Sequence, residues 1–269
     1  MNRIINTVIA VCCIFLLTSC LPAAVGNNVK KAATKPSPDE VVKMLQDGNK
    51  RFVEGKSNHP HMDSARLAQA GTEDQGDHAY ATVITCSDSR VPVGLIFDAG
   101  IMDIFVIRVA GNVCDVDEVG SIEYGLAHVK TPVLVVLGHT QCGAVTAVTH
   151  AIHGKGHALE RNIPPLVDNI EPAVRSAMAK HPEIHGDKII PYAIEENIWK
   201  GIEDLFMTSP STRNIVKSGA AKVVGAMYDV STGEIDWLPE SKVHDILTKV
   251  EANPERAINP MADGAKSSH

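Results

Sequence analysis

The sequence predicts an α/β fold: a central, mostly parallel β-sheet flanked by helices, with a helical arm on its N-terminal side. Three observations carry that expectation. Short apolar runs rich in β-branched residues recur at 81–85, 103–109, 133–137 and 222–230, continuous rather than alternating, as strands buried on both faces should be. Segments with helical apolar spacing lie between them. Strand and helix therefore alternate along the chain, the order that the crossover connections of a parallel sheet require.

Each element has its own signal. Ser37-Pro38-Asp39-Glu40 starts a helix: Ser37 caps, Pro38 suits the first turn and Glu40 completes a capping box. Val41, Met44, Leu45, Phe52 and Val53 then recur at helical spacing up to Gly55. A shorter helix is expected over 63–74. The texture changes at Tyr80, where Ala81 to Thr85 form a strand that ends at Cys86. Pro92 to Asp98 suit a short helix, Asp103 to Val109 a second strand, and Glu118 to Lys130 a longer helix with Ile122, Leu126 and Val129 on one stripe. Thr131-Pro132 introduces the third strand, Val133 to Leu137. Helices are expected over 141–153, 165–180 and 187–207. Lys222 to Val230 form the fourth strand, and a turn at 229–234 leads back into 235–238. Residues 251–269 are polar and expected to be loose. With no internal repeat and no second boundary, 37–250 reads as one domain.

Composition narrows the class. Of 269 residues 44% are hydrophobic and 21% charged, average values for a folded soluble protein. A net charge of −7 without a long run of Lys or Arg excludes a phosphate-tracking surface, and nucleic acid with it. The first residues differ from the rest. Met1-Asn2-Arg3 carries one positive charge, Ile4 to Leu17 are almost wholly apolar, and Leu17-Thr18-Ser19-Cys20 follows. The apolar run is shorter than the roughly 20 residues of a spanning helix, so 1–20 reads as an export signal and 21–36 as a tether. The ending resembles a bacterial lipoprotein signal, which makes Cys20 a lipidation site. Ordinary cleavage near Ala23 or Ala24, without lipid, is the other reading. Either way the chain is expected in the periplasm or cell envelope, touching membrane only through an N-terminal lipid anchor.

The six cysteines are Cys12, Cys13, Cys20, Cys86, Cys114 and Cys142. Only the last three belong to the body of the protein, and an odd number is a poor disulfide framework. Two clusters carry the chemistry. Cys86-Ser87-Asp88-Ser89-Arg90 follows one strand directly, and Gly138-His139-Thr140-Gln141-Cys142-Gly143 follows another. Ligands of open parallel sheets gather beyond the carboxyl ends of strands. Cys86, His139 and Cys142 therefore meet if their strands are neighbours. Two thiolates and an imidazole suit zinc, and three protein ligands leave the open fourth position of a catalytic site. Asp88 is placed to fill that position or to guard it. Gly138 and Gly143 would let backbone approach the metal closely. Each residue has a plainer reading alone, as a capping His, a packed Cys or a surface Arg, and a Cys86–Cys142 disulfide stays open as the alternative to metal.

These two motifs resemble the paired signature of the β-carbonic anhydrases. Val91-Pro92, Ile96-Phe97-Asp98, Phe105 to Asn112 and Ser121-Ile122-Glu123-Tyr124 extend the resemblance, which covers about 38 to 245 and is densest over 80–150. It implies a β-carbonic anhydrase-like fold with one Zn2+ per subunit on Cys86, His139 and Cys142. It implies reversible hydration of carbon dioxide to bicarbonate and a proton. It also implies an Asp88–Arg90 dyad, in which the aspartate either pairs with the arginine or swings onto the zinc as a fourth ligand. A homodimer or homotetramer is implied too, with a substrate pocket at the subunit interface lined by Phe105, Tyr124 and Gly143.

The chain departs from the family pattern in two places. Asp77 stands where many members carry a Gln that helps hold bicarbonate, with Gln75 two residues away. Ionised Asp accepts hydrogen bonds only. Val83 stands where bicarbonate-regulated members carry a Trp, so the non-catalytic bicarbonate site is expected to be absent. His128, His150, His153 and His157 are chemically able to move the last proton, with none singled out. Two rivals share the ligand set: hydrolysis of CS2 or COS on the same fold, and a non-catalytic zinc-binding envelope protein. A thiol redox protein is disfavoured, since no Cys-x-x-Cys pair is present.

Overall fold

A computed structural model describes residues 35–262. The export signal 1–20 with Cys20, and all but the end of the tether 21–36, lie outside the described residues. The chain folds as α1 (Pro38–Val53), α2 (Ser64–Ala70), β1 (Ala81–Cys86), α3 (Val93–Ile96), β2 (Ile104–Val109) and α4 (Val116–Glu123). It continues through β3 (Val133–His139), α5 (Gly143–Ile152), α6 (Ile163–Asp168), α7 (Glu171–Lys180), α8 (Ile190–Thr208), α9 (Pro210–Lys217), β4 (Lys222–Tyr228), β5 (Ile235–Trp237) and α10 (Glu240–Ala252).

The sheet runs β2-β1-β3-β4-β5. The first four strands are parallel and β5 returns antiparallel through the expected hairpin. Every residue of β1 and β3 is buried, which explains their unbroken apolar runs. β2 lies at the edge, and there Ile107 is buried while Val106 and Arg108 are exposed. Thr85 pairs with Leu137, and Leu137 with Ala226. The carboxyl ends of β1, β3 and β4 therefore finish side by side, with Cys86 and His139 at the tips of neighbouring strands.

Helices cover both faces. α1 has the expected capping box: Ser37 N donates to Glu40 Oε2 at 2.7 Å and Glu40 N to Ser37 Oγ at 3.4 Å. It lies on the body of the domain, with Val41 and Leu45 fully buried beside Val83, Phe97 and Val135. On the other face, Ile198, Ile202 and Phe206 of α8 pack with Ile84, Ile122, Leu134 and Val136.

The structure differs from expectation in several places, each for a local reason. The helix expected to start at Glu118 begins at Val116, because Asp115 caps it and Glu118 closes the box. It then widens into one π-turn, Tyr124–His128, which keeps Ile122, Leu126 and Val129 buried on one stripe. The stretch 165–180 splits into α6 and α7, with Pro172 in the first turn of the second. The segment 187–207 opens as a 3-10 turn, Gly186–Ile189, before α8. α9 and α10 were not expected. α10 runs past 250 to Ala252 with Val250 buried. Beyond it, Ala257 N donates to Met207 O at 2.9 Å and the Arg213 guanidinium donates to Ala257 O. The first part of the expected loose tail is thus tied to the body, because buried Arg213 needs that carbonyl.

Candidate metal centre

Three strand and helix ends converge on one point. Cys86 terminates β1, His139 terminates β3, and Cys142 is the N-cap of α5. The Cys86 and Cys142 sulfurs and a ring nitrogen of His139 all lie within 4.8 Å of one another, and all three residues are buried. Among the described residues no cysteines are bonded to each other, which removes the disulfide alternative. Cys114 is buried apart, among Ile202 and Val136 in the α8 side of the core, and burial pushes its thiol up and out of reactive range.

The protonation pattern fits a cation. His139 Nδ1 lies 2.9 Å from the Thr140 carbonyl. A carbonyl only accepts, so Nδ1 carries the ring proton and Nε2 presents a lone pair. Nε2 is buried and has no hydrogen-bond partner among the described residues. An orphaned buried acceptor is costly, and here it faces two sulfurs. A metal ion that takes all three donors satisfies it, with the Thr140 carbonyl orienting the imidazole as outer partners of ligating histidines do. The Cys86 thiol is lowered, chiefly by the neighbouring Cys142 thiol and against the burial that raises it; the His139 ring and the Gly111 amide add to the lowering.

Asp88 and Arg90 form the expected dyad. Arg90 Nε donates to Asp88 Oδ1 at 3.0 Å and Nη2 to Oδ2 at 2.7 Å, while the Arg90 amide donates to Oδ1 at 2.9 Å. The fork holds the carboxyl well below its ordinary range, with the Arg90 side chain the largest cause. Asp88 thus faces the guanidinium, and its Oδ2 lies 4.0 Å from His139 Nε2, at the rim of the donor set. Arg90 is held in turn by Gln141, through its side-chain oxygen at 3.3 Å and its carbonyl at 3.1 Å. Arg108 Nε donates to the Cys86 carbonyl at 3.1 Å and Nη2 to the Asp88 carbonyl at 2.5 Å, bracing the loop between them.

The expected pocket residues are only partly together. Phe105 and Tyr124 pack on each other with ring centroids 6.0 Å apart, and His128 stacks on Tyr124 at 5.3 Å. Phe105 is level with Thr82, however, while Cys86 is level with Val109. Four residues of strand put the aromatic pair about 13 Å from Cys86 along the sheet, so this chain does not bring its own Phe105 and Tyr124 onto its own donor cluster. Gly143 lies beside Cys142, exposed, with open space where a Cβ would stand. Gly138 has another reason than the one expected: a Cβ there would fall 2.8 Å from Ile198 Cδ1, so it is needed for α8 to close on β3.

Asp77 is exposed at the end of a 3-10 turn, Gln75–Asp77. That turn abuts the carbonyls of His128 and Val129, which places it with the aromatic pair. Val83 is fully buried between Val106 and Val135. Of the four histidines able to carry a proton, His150 is bonded to Asp187 at 3.2 Å. Sequence reasoning missed two contributors. Gln141 was legible as a neighbour of Cys142 but not as the holder of Arg90. The Gly111 amide, which donates to Cys86 Sγ at 3.3 Å, leaves no side-chain signal at all.

Comparison with known proteins agrees with this geometry. A family profile described as carbonic anhydrase matches residues 81–235. A carbonic anhydrase of Mycolicibacterium smegmatis is 31% identical over 204 residues, 74% of this chain and 93% of that protein. Among solved structures, the β-carbonic anhydrase CcaA superposes with a TM-score of 0.57 at 25% identity, over 74% of this chain and 92% of that one. A tetrameric β-carbonic anhydrase from Sordaria macrospora superposes with a TM-score of 0.55 at 22% identity, over 74% and 97%.

Proposed function

The chain belongs to the β-carbonic anhydrase family, and from that premise we propose how its residues divide the work of a zinc enzyme that interconverts carbon dioxide and bicarbonate. The observation that carries the assignment is the buried, partnerless Nε2 of His139 facing two cysteine sulfurs. Cys86, His139 and Cys142 would hold the Zn2+, the two sulfurs balancing its charge and the imidazole supplying the third protein ligand. When bound, zinc would supply Lewis acidity that brings the pKa of water down toward about 7, so that a nucleophile exists at neutral pH.

The protein's own groups do the rest. Asp88, kept ionised by Arg90, accepts a hydrogen bond from the attacking oxygen through Oδ2, the carboxylate atom nearest the donor set. That bond turns a lone pair toward the carbon of CO2. Gln141 keeps Arg90 in place and Arg108 braces the Asp88 carbonyl, so the dyad does not need to reorganise as charge develops. The same pairing would keep Asp88 off the metal.

Phe105 and Tyr124 reach a metal centre only across an interface. We assign them to the pocket of a second copy, which makes a homodimer the working unit and a homotetramer a further assembly. Exposed Tyr124 and Val106, on and beside edge strand β2, support this. The export signal, Cys20 and the tether support a lipid-anchored protein of the periplasm or cell envelope.

Stopped-flow CO2 hydration on purified protein, with zinc analysis of the same sample and parallel assays on CS2 and COS, tests the reading. One zinc per chain with CO2 hydration is expected. Zinc without CO2 hydration would leave a binding protein, and faster turnover of CS2 or COS would transfer the assignment to those substrates.

A further inference from the structure

We propose that Asn197 is a positioning residue for the metal centre, acting through the Gly111 peptide on the Cys86 sulfur. The inference rests on the assignment of Cys86 as a zinc ligand. Asn197 lies on α8 and is 3% exposed, between Ile194, Ile198 and Gly201. A buried amide in an apolar helix face is costly unless it is bonded, and an apolar residue would pack there as well. Its Nδ2 donates to the Gly111 carbonyl at 2.7 Å, wholly inside the protein.

Gly111 is held in the left-handed region, φ 76° and ψ 12°. A Cβ there would meet Ile170 Cδ1 at 2.5 Å and Ala144 Cβ at 3.2 Å, so only glycine fits. In this conformation its N–H points at Cys86 Sγ, 3.3 Å away. The carbonyl and the amide of Gly111 flank one Cα. Fixing the carbonyl at one end and packing Ile170 and Ala144 against the Cα therefore restrains φ and ψ together, against the freedom glycine otherwise has, and the amide stays on the sulfur. Asn112, next in the chain, is also left-handed at φ 46°, uncommon for a residue with a side chain. The turn is kept in this shape although it leaves the Asn112 side-chain amide buried without a hydrogen-bond partner among the described residues.

An N–H bond to a thiolate lowers the energy of its lone pair. The sulfur then binds a proton less tightly and donates less charge to a metal. Outer partners of this kind set metal affinity and the electronic character of the site. Asn197 thus contributes to the centre from α8, through the Gly111 peptide.

The test uses the full exported chain loaded with Co2+, 113Cd2+ or Zn2+. In wild-type protein, nuclear magnetic resonance of the 113Cd form should show scalar coupling between cadmium and the Gly111 amide proton through Cys86 Sγ. Asn197→Leu and Asn197→Asp remove the donor with little change in volume. Both should lose that coupling and move the thiolate-to-cobalt charge-transfer band to longer wavelength. Full coupling and an unmoved band in a folded variant would overturn the proposal. Should neither variant fold, the wild-type coupling decides, and its absence overturns the proposal. A wild-type protein with no thiolate-to-cobalt band overturns the zinc assignment itself, an outcome distinct from a band that is present but unmoved.

Discussion

Replacing Asp88 by Asn separates what Asp88 does for catalysis from what it does for structure. The carboxylate accepts three hydrogen bonds from Arg90, two on Oδ1 and one on Oδ2. The amide can keep the two on its oxygen, but its NH2 then opposes Arg90 Nη2, donor against donor. One charged hydrogen bond is lost, worth about 1.5–3 kcal/mol in a buried setting. The Arg90 side chain is 44% exposed, so solvent screens most of that and the folded protein should lose less than about 1 kcal/mol. Zinc should stay, because none of its three ligands is touched. Catalysis should suffer far more, since the amide is no longer an ionised acceptor aimed at the attacking oxygen. A positioned acid–base group contributes about 10²–10⁴-fold, and kcat should fall by on the order of 10²-fold. Stopped-flow CO2 hydration, zinc analysis and a urea titration on one preparation read all three quantities. A folded, zinc-replete variant that hydrates CO2 at nearly the wild-type rate would refute the role given to Asp88.

Other outcomes follow from features away from the metal. Buried Asp98 is raised by desolvation, but the amides of Asn58 and His59 and the Arg51 side chain outweigh this and leave it lowered. Its contribution to stability is therefore present above the unfolded carboxylate value of about 3.9 and is lost as pH falls through the lower folded value. Asp98→Asn should cost about 2–3 kcal/mol at pH 7, with the gap to wild type closing below about pH 4; an equal gap at both pH values in urea titrations would contradict this. At Gly48 an added Cβ would fall 2.0 Å from the Phe97 carbonyl oxygen, a backbone atom that cannot yield. Gly48→Ala should lift α1 from the sheet at a cost of about 3 kcal/mol and lower the melting temperature by roughly 6–12 °C; an unchanged melt would show that the contact is absent. Crystals soaked in bicarbonate should show no anion beside Val83, which is fully buried while Arg108 is committed to two carbonyls. An ordered anion there would show that the regulatory site survives without its Trp.

Much of the centre was legible because its chemistry sits in side chains at strand ends. Cys86, His139 and Cys142 needed only neighbouring strands, and the register of β1 on β3 supplies that. Asp88 was legible from its spacing to Cys86, and its pairing with Arg90 from the family resemblance. What escaped was written in backbone or in distant packing. The Gly111 amide has no side chain to read, and Asn197 looks in sequence like any polar residue of an amphipathic helix. Gly138 was legible as a constraint, but its cause lies in Ile198, sixty residues away in the chain. α10 carried a signal in Val243, Ile246, Leu247 and Val250, whose spacing is helical. α9 repeats the Ser-Pro start of α1 at Ser209-Pro210 with a weaker apolar face behind it. Phe105 and Tyr124 were named by resemblance, yet only the sheet register reveals how far they stand from Cys86 in one chain.

Zinc K-edge X-ray absorption on protein that is turning over CO2 tests the central claim most directly. Two sulfur scatterers at about 2.3 Å with nitrogen and oxygen completing four ligands is the predicted shell. Active enzyme whose metal shows one sulfur or none, or whose Cys86 and Cys142 are joined as a disulfide, would contradict it.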